Sequence, residues 1–217
     1  MSAPVDWQTD RVADLRTELR SRATENIPAY RMLLPPGWEA HDLTAAGESS
    51  VLAQATARLA SAQRPDLASA LRRHVAEAMT ALRGQRAFVY ALAREGAPTW
   101  VLGAASLVGM KRVASPEVPL DAVVREAIER RGGVAIGEDY RIVRWTERRP
   151  VVLDEVEAVS TLVHYLIPIP GSRRTAAVQW TVTVAHGADV AADSPLIQSW
   201  IALFDGHIAT FTWSNPA

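Results

Sequence analysis

The sequence predicts an α+β fold: one twisted, mainly antiparallel β-sheet with helices on both faces, plus an N-terminal helix. Three observations carry this prediction. The first is a central hairpin, two apolar, β-rich runs at 159–169 and 176–184 separated by the turn-forming PGSRR of 170–174. In its second arm Ala176, Val178, Trp180, Val182 and Val184 alternate with Gln179, Thr181 and Thr183, the period of two that marks a half-buried strand. That alternation predicts a buried Trp180 and an outward Gln179. The first arm is apolar on both sides, so it is expected inside the sheet with both of its faces covered. The second observation is the element order β, αα, ββ, α, ββββ, α, β, rich in hairpins and without the strict βαβα alternation of a parallel sheet. The third is a set of helical apolar patterns placed to supply the two covers.

Composition narrows the possibilities. A chain of 217 residues with 48% hydrophobic content can bury a sizeable core, and it divides into a helical appendage at 1–26 and a single α+β domain at 27–217. A net charge of −1 and a pI near 6.5 supply no overall field to attract nucleic acid or an anionic membrane. Cysteine is absent, which excludes disulfides, thiol catalysis and Cys-ligated metal. The opening MSAPVDWQTDRVADLRTELR has neither a basic start nor an apolar run, so no secretory signal is expected. The longest apolar run, 101–110, is about half of the roughly 20 residues a membrane helix needs. A soluble, cytoplasmic protein is the expectation.

Taken in order, residues 6–22 read as a helix with a narrow apolar stripe of Val12, Leu15 and Leu19, continued back to Trp7. These four residues either dock on the domain or bind another protein, and the first reading is preferred because apolar stripes are usually core. Asn26-Ile27-Pro28 acts as a linker, so the segment before Ile27 is expected to be dispensable for folding. Residues 30–34 form a short strand stopped by Pro35-Pro36-Gly37. A helix capped by Ser49 or Ser50 follows, then a second with Pro65 in its first turn, Leu71, Val75, Met79 and Leu82 on one face, and Gly84 at its end.

Two apolar arms, 87–93 and 100–110, form the next hairpin; Gly103, Ala104, Ala105 and Gly109 thin the second, as if a helix crossed closely over it. Pro119 introduces a helix with Leu120, Val123, Val124, Ala127 and Ile128 inward and Gly132-Gly133 as its stop. Strands at 141–148 and 151–158 flank Pro150. After the central hairpin, Ser194-Pro195 starts a helix apolar around most of its circumference, Asp205-Gly206 ends it, and 207–213 make the last strand.

Four stretches carry a family resemblance. LIPIPGS at 166–172, the strand 176–184 and LIQSWIALFDGHIATFTW at 196–213, together with YRMLLPPGWEA at 30–40, resemble PsbP-like proteins: the photosystem extrinsic protein, the yeast Ran-release factor and actinobacterial LpqN-type lipoproteins. The resemblance covers residues 30–213. It departs from the group in its long helical insertion at 49–82 and in lacking a lipobox cysteine. What it implies is a protein- or ligand-binding module without catalysis; its motifs are turn and packing signals, so no site residues are carried over.

Candidate chemistry is sparse. His164 interrupts an apolar strand, and histidine is the commonest general base, but no nucleophile elbow or second histidine at metal spacing accompanies it. A hydrogen-bonded core or interface histidine is the preferred reading. His41, His186 and His207 fall at element ends. No phosphate-loop, HExxH or EF-hand spacing occurs, and Gly132-Gly133 follows a helix where phosphate loops precede one. Arg141, Arg144, Arg148 and Arg149 with Trp145 could follow a phosphate backbone, yet charged edge strands are more often a defence against aggregation. No cofactor is expected. The sequence therefore leads to a non-catalytic protein-binding or chaperone-like module, with a small-ligand binder or small enzyme built around a cavity near His164 as the alternative.

Overall fold

The computed structural model describes residues 27–214 except 62, 64–67, 95–96, 99–104, 116, 140 and 154–155. The expected N-terminal helix, and with it Trp7, Val12, Leu15 and Leu19, lies outside the described residues. The elements are β1 (Tyr30–Arg31), β2 (Trp38–His41), α1 (Ala45–Ser61), α2 (Ala68–Gly84), β3 (Ala87–Ala93), β4 (Ala105–Val113), α3 (Leu120–Arg131), β5 (Val134–Ile136), β6 (Ile142–Leu153), β7 (Val156–Pro168), β8 (Ala176–Gly187), α4 (Pro195–Ala209) and β9 (Thr212–Trp213).

Seven strands form an open antiparallel sheet in the order β2-β3-β4-β8-β7-β6-β5, and β1 pairs with β9 in a separate two-stranded ribbon. The fold is α+β. The hairpin β7–β8 lies at its centre, its register set where the Ile169 N–H meets the Ala176 carbonyl at 3.0 Å. From there Tyr165 falls opposite Trp180 and His164 opposite Thr181.

Because side chains alternate along a strand, this register assigns every residue to a face. One face carries Leu107, Val182, Val163, Val178, Tyr165 and Trp180, all buried. It is covered by Ile197, Trp200, Ile201, Phe204 and Ile208 of α4. The other face is shared by α1 and α2, which pack by β2 and β3, and by α3, which sets Leu120 and Ala127 on Trp145, Leu166 and Ala177.

Several boundaries differ from expectation for local reasons. The first helix begins four residues before Ser49, because Thr44 caps it: its Oγ1 accepts from the Gly47 N–H at 3.3 Å, and its own N–H is held by Asp42 at 3.1 Å. Pro150 does not divide a strand; β6 runs through it, paired with Val159 on β7 and lacking any strand on its outer side there, since β5 reaches only Ile142, Val143 and Arg144. The last helix continues through Asp205-Gly206 to Ala209, leaving β9 only two residues. Although apolar around most of its circumference, that helix is buried on one side, through Ile197, Trp200, Ile201, Phe204 and Ile208, and Leu196 is 52% exposed on its outer side. Close packing over Gly109 comes from aromatic rings, not from a helix, since an added Cβ would lie 2.9 Å from Trp180 and 2.9 Å from Phe88.

Candidate functional site

Alternation gathers a polar cluster at the middle of the sheet face that α3 partly covers. His164 on β7 sits between Trp145 on β6 and Thr181 on β8, with Gln179 and Glu147 each two residues along. Gln179 is buried, contrary to the outward position expected from alternation alone, because both sheet faces are covered. Arg112, from β4, explains how an amide is held there: its Nε donates to Gln179 Oε1 at 2.8 Å.

This contact orders the whole cluster. An arginine can only donate, so Gln179 turns its oxygen to Arg112 and its Nε2 to the other side. There Nε2 lies 3.1 Å from His164 Nδ1 and donates to Thr181 Oγ1 at 3.2 Å, while Thr181 Oγ1 is 3.0 Å from the same Nδ1. With donors converging on Nδ1, the ring proton belongs on Nε2, which faces Glu147 Oε2 at 3.6 Å. The imidazole is stacked on Trp145 with ring centroids 4.9 Å apart. Burial pushes its pKa down to about 4, against the pull of the Glu147 carboxylate. The ring is neutral at pH 7, so the approach to Glu147 is a long polar contact and not an ion pair. Glu147 is held ionised by Arg149, which donates through Nε at 2.9 Å and lowers its pKa.

Beside the cluster, α3 stands off the sheet and leaves a cavity of 420 Å³. Arg112, Gln179 and Trp145 wall it on the sheet side, and Val123, Glu126 and Arg131 on the helix side. The helix is fixed over it by its apolar contacts and ends at Gly132, whose φ of 63° is the left-handed conformation glycine supplies. Arg131 is committed to Glu126 at 2.7 Å.

The opposite face holds a second constellation. Tyr165 donates to Asp205 Oδ1 at 2.9 Å, and Arg144 Nε lies 3.4 Å from Oδ2 without the alignment of a hydrogen bond. Burial raises the Asp205 pKa against the opposing effects of Arg144 and Tyr165. A cavity of 620 Å³ opens near the ends of β7 and α4, but its Arg141 is paired with Asp139 at 3.2 Å.

The remaining sequence candidates are scattered. His41 is buried at the end of β2, His186 is bonded to Thr161 at 2.9 Å and to the Gly187 carbonyl at 2.9 Å, and His207 lies in the last turn of α4. Among the described residues no three His, Asp or Glu side chains come together as a metal site. The four arginines do not make one stripe: Arg144 and Arg148 share a face with Tyr165, Arg149 points to the other, and each meets a carboxylate or carbonyl oxygen. Residue reading missed Arg112, Gln179, Thr181 and Glu147. The hairpin register was the available signal, since pairing Ile169 with Ala176 already sets His164 against Thr181.

Among the described residues no helix is long and apolar enough to cross a membrane. The chain matches no protein-family model and no curated protein. A solved structure from Bacteroides thetaiotaomicron is similar with 12% identity and a TM-score of 0.35, over 61% of this chain and 40% of that one. This chain thus spans less than half the length of that protein, and a likeness at this level carries no argument about fold or function.

Proposed function

We propose that this chain is a non-catalytic binding protein whose ligand site is the cavity beneath α3. The observation that carries the reading is the convergence of Arg112, Gln179 and Trp145 on a 420 Å³ space adjoining His164. A mixed polar and apolar concavity of this size suits a small molecule, which favours the small-ligand reading over a purely protein-binding one. His164 acts here as a structural residue: it is 6% exposed and holds Gln179 and Thr181 in place. The only carboxylate in the lining, Glu126, is tied to Arg131, which makes it a poor base. Kinship with PsbP-like proteins belongs to the same proposal, supported by the motifs at 166–172 and 196–213 and by the open sheet covered on both faces, and so does a cytoplasmic location, with which a sequence free of cysteine is compatible.

The test is a thermal-melt screen of the full chain against a library of small organic molecules, with hits mapped by NMR. Ligands should raise the melting temperature and shift resonances of α3 and of Trp145. Turnover of any screened substrate that disappears in His164→Gln without a change in melting temperature would overturn the non-catalytic reading. Hits that map only elsewhere would overturn the assignment of the site.

A further inference from the structure

We infer that the cavity beneath α3 takes a small organic anion, a carboxylate or phosphate-ester group on an apolar body, with Arg112 as its anchor. The inference rests on the reading of this cavity as the binding site and specifies the ligand's chemistry. Arg112 is pre-organised. Its Nε is held at 2.8 Å by Gln179 Oε1, and Gln179 is itself 4% exposed and fixed by His164 and Thr181. The two terminal nitrogens of the guanidinium have no acceptor among the described residues, and they form the parallel pair of donors that matches a carboxylate or phosphate edge.

Charge points the same way. The lining holds two arginines and one glutamate. Arg131 is matched by Glu126 at 2.7 Å, and Glu147, 4.0 Å from Arg131 beside the cavity, is matched by Arg149 at 2.9 Å, which leaves the Arg112 charge uncompensated. His164, neutral behind Gln179, adds none. The remaining wall is apolar: Leu120 and Val123 of α3, Val118 at the rim and Trp145 on the sheet can enclose an aryl or alkyl body. A site that neutralises one charge and covers an apolar group thus discriminates an anion from its neutral isostere.

Isothermal titration of the full chain with phenylacetate, phenyl phosphate and the neutral phenylacetamide tests this. The tighter anion identifies the head group, and it should bind at least about tenfold more tightly than the amide. Arg112→Gln should bring that anion to the amide's level. Because this change also disturbs Gln179, a second variant is needed: with Val118→Glu, at a residue 55% exposed on the rim, both ligands lose the Val118 contact but only the anion meets an added like charge, so anion affinity should fall by more than amide affinity. Equal binding of amide and anions, or anion affinity untouched by both substitutions, overturns the anionic assignment and leaves the binding reading standing. Failure of all three probes also overturns this assignment, while the library melt judges the binding reading separately.

Discussion

Arg112 Nε donates to Gln179 Oε1 across 2.8 Å, joining an exposed arginine of β4 to a buried amide of β8. Since the amide's orientation dictates the imidazole's, this contact at the cavity wall sets the tautomer of a residue in the sheet interior. His164 should be protonated on Nε2 alone. Nitrogen chemical shifts of the ring should show this form at pH 7 and no imidazolium until the pH nears 4. A ring protonated on Nδ1 would show that Gln179 is turned the other way.

The same histidine makes stability depend on pH. Its folded pKa, about 4, lies below the unfolded value of 6.5, so the unfolded chain takes up a proton first. Stability from this group is complete above pH 6.5, falls as the pH drops, and levels off near pH 4. At 8% side-chain exposure little solvent screening applies, and the loss is about 3 kcal/mol over that window. Asp205 has the opposite sign: its raised pKa favours the fold at low pH, and that contribution is lost as the pH rises through the folded value. Denaturant melts of wild type and His164→Gln should therefore be compared, because the difference isolates the histidine. Parallel stability curves for the two proteins between pH 6.5 and pH 4 would refute the assignment.

Neighbouring residues on β8 should respond differently to truncation. Trp180 is 1% exposed and packs edge-on against Phe88 and Tyr30, so Trp180→Ala should cost about 3–5 kcal/mol. Gln179→Ala leaves a small cavity and deprives Thr181 and His164 of a donor, for about 1–3 kcal/mol. Adding the His164→Gln substitution should cost less in the Gln179→Ala background than alone, because the shared hydrogen bonds are already gone. Strict additivity in urea melts would separate the two residues energetically.

Strand residues were readable because covering a sheet requires apolar alternation, and β7, β8 and the hairpin between them fall where that pattern places them. Element ends were less so. Thr44 caps α1 through Asp42, a side-chain contact that propensity does not reveal, and Gly47 is needed there because a Cβ would run into the Asp42 carbonyl. Gly206 reads as a helix stop, yet tertiary packing of Phe204 and Ile208 on the sheet carries α4 through it. The site was hidden for a different reason. Gln179 and Thr181 have the appearance of solvent-facing strand residues, and only knowledge that α3 returns over that face turns them into a buried network beside a cavity.

Gly109 tests how tightly the aromatic core is packed. A Cβ at this position would lie 2.7 Å from Val89 Cγ1, 2.9 Å from Phe88 Cζ and 2.9 Å from Trp180 Cζ3, all closer than carbon atoms tolerate. Neither ring can withdraw freely: Phe88 and Trp180 meet edge to face at 5.7 Å, and both are braced by Tyr30, which is stacked on Phe211. Gly109→Ala should therefore cost about 1–3 kcal/mol, although alanine is otherwise the better strand residue of the two. Making Trp180 smaller removes one of the three clashes and gives Phe88 room to withdraw, while Val89 Cγ1 stays in place, so the added cost of Gly109→Ala should be smaller in a Trp180→Leu background without vanishing. A double-mutant cycle in denaturant measures this coupling directly. If the penalty is the same in both backgrounds, Gly109 is not making room for the aromatic rings, and the cost comes from Val89 or the backbone instead.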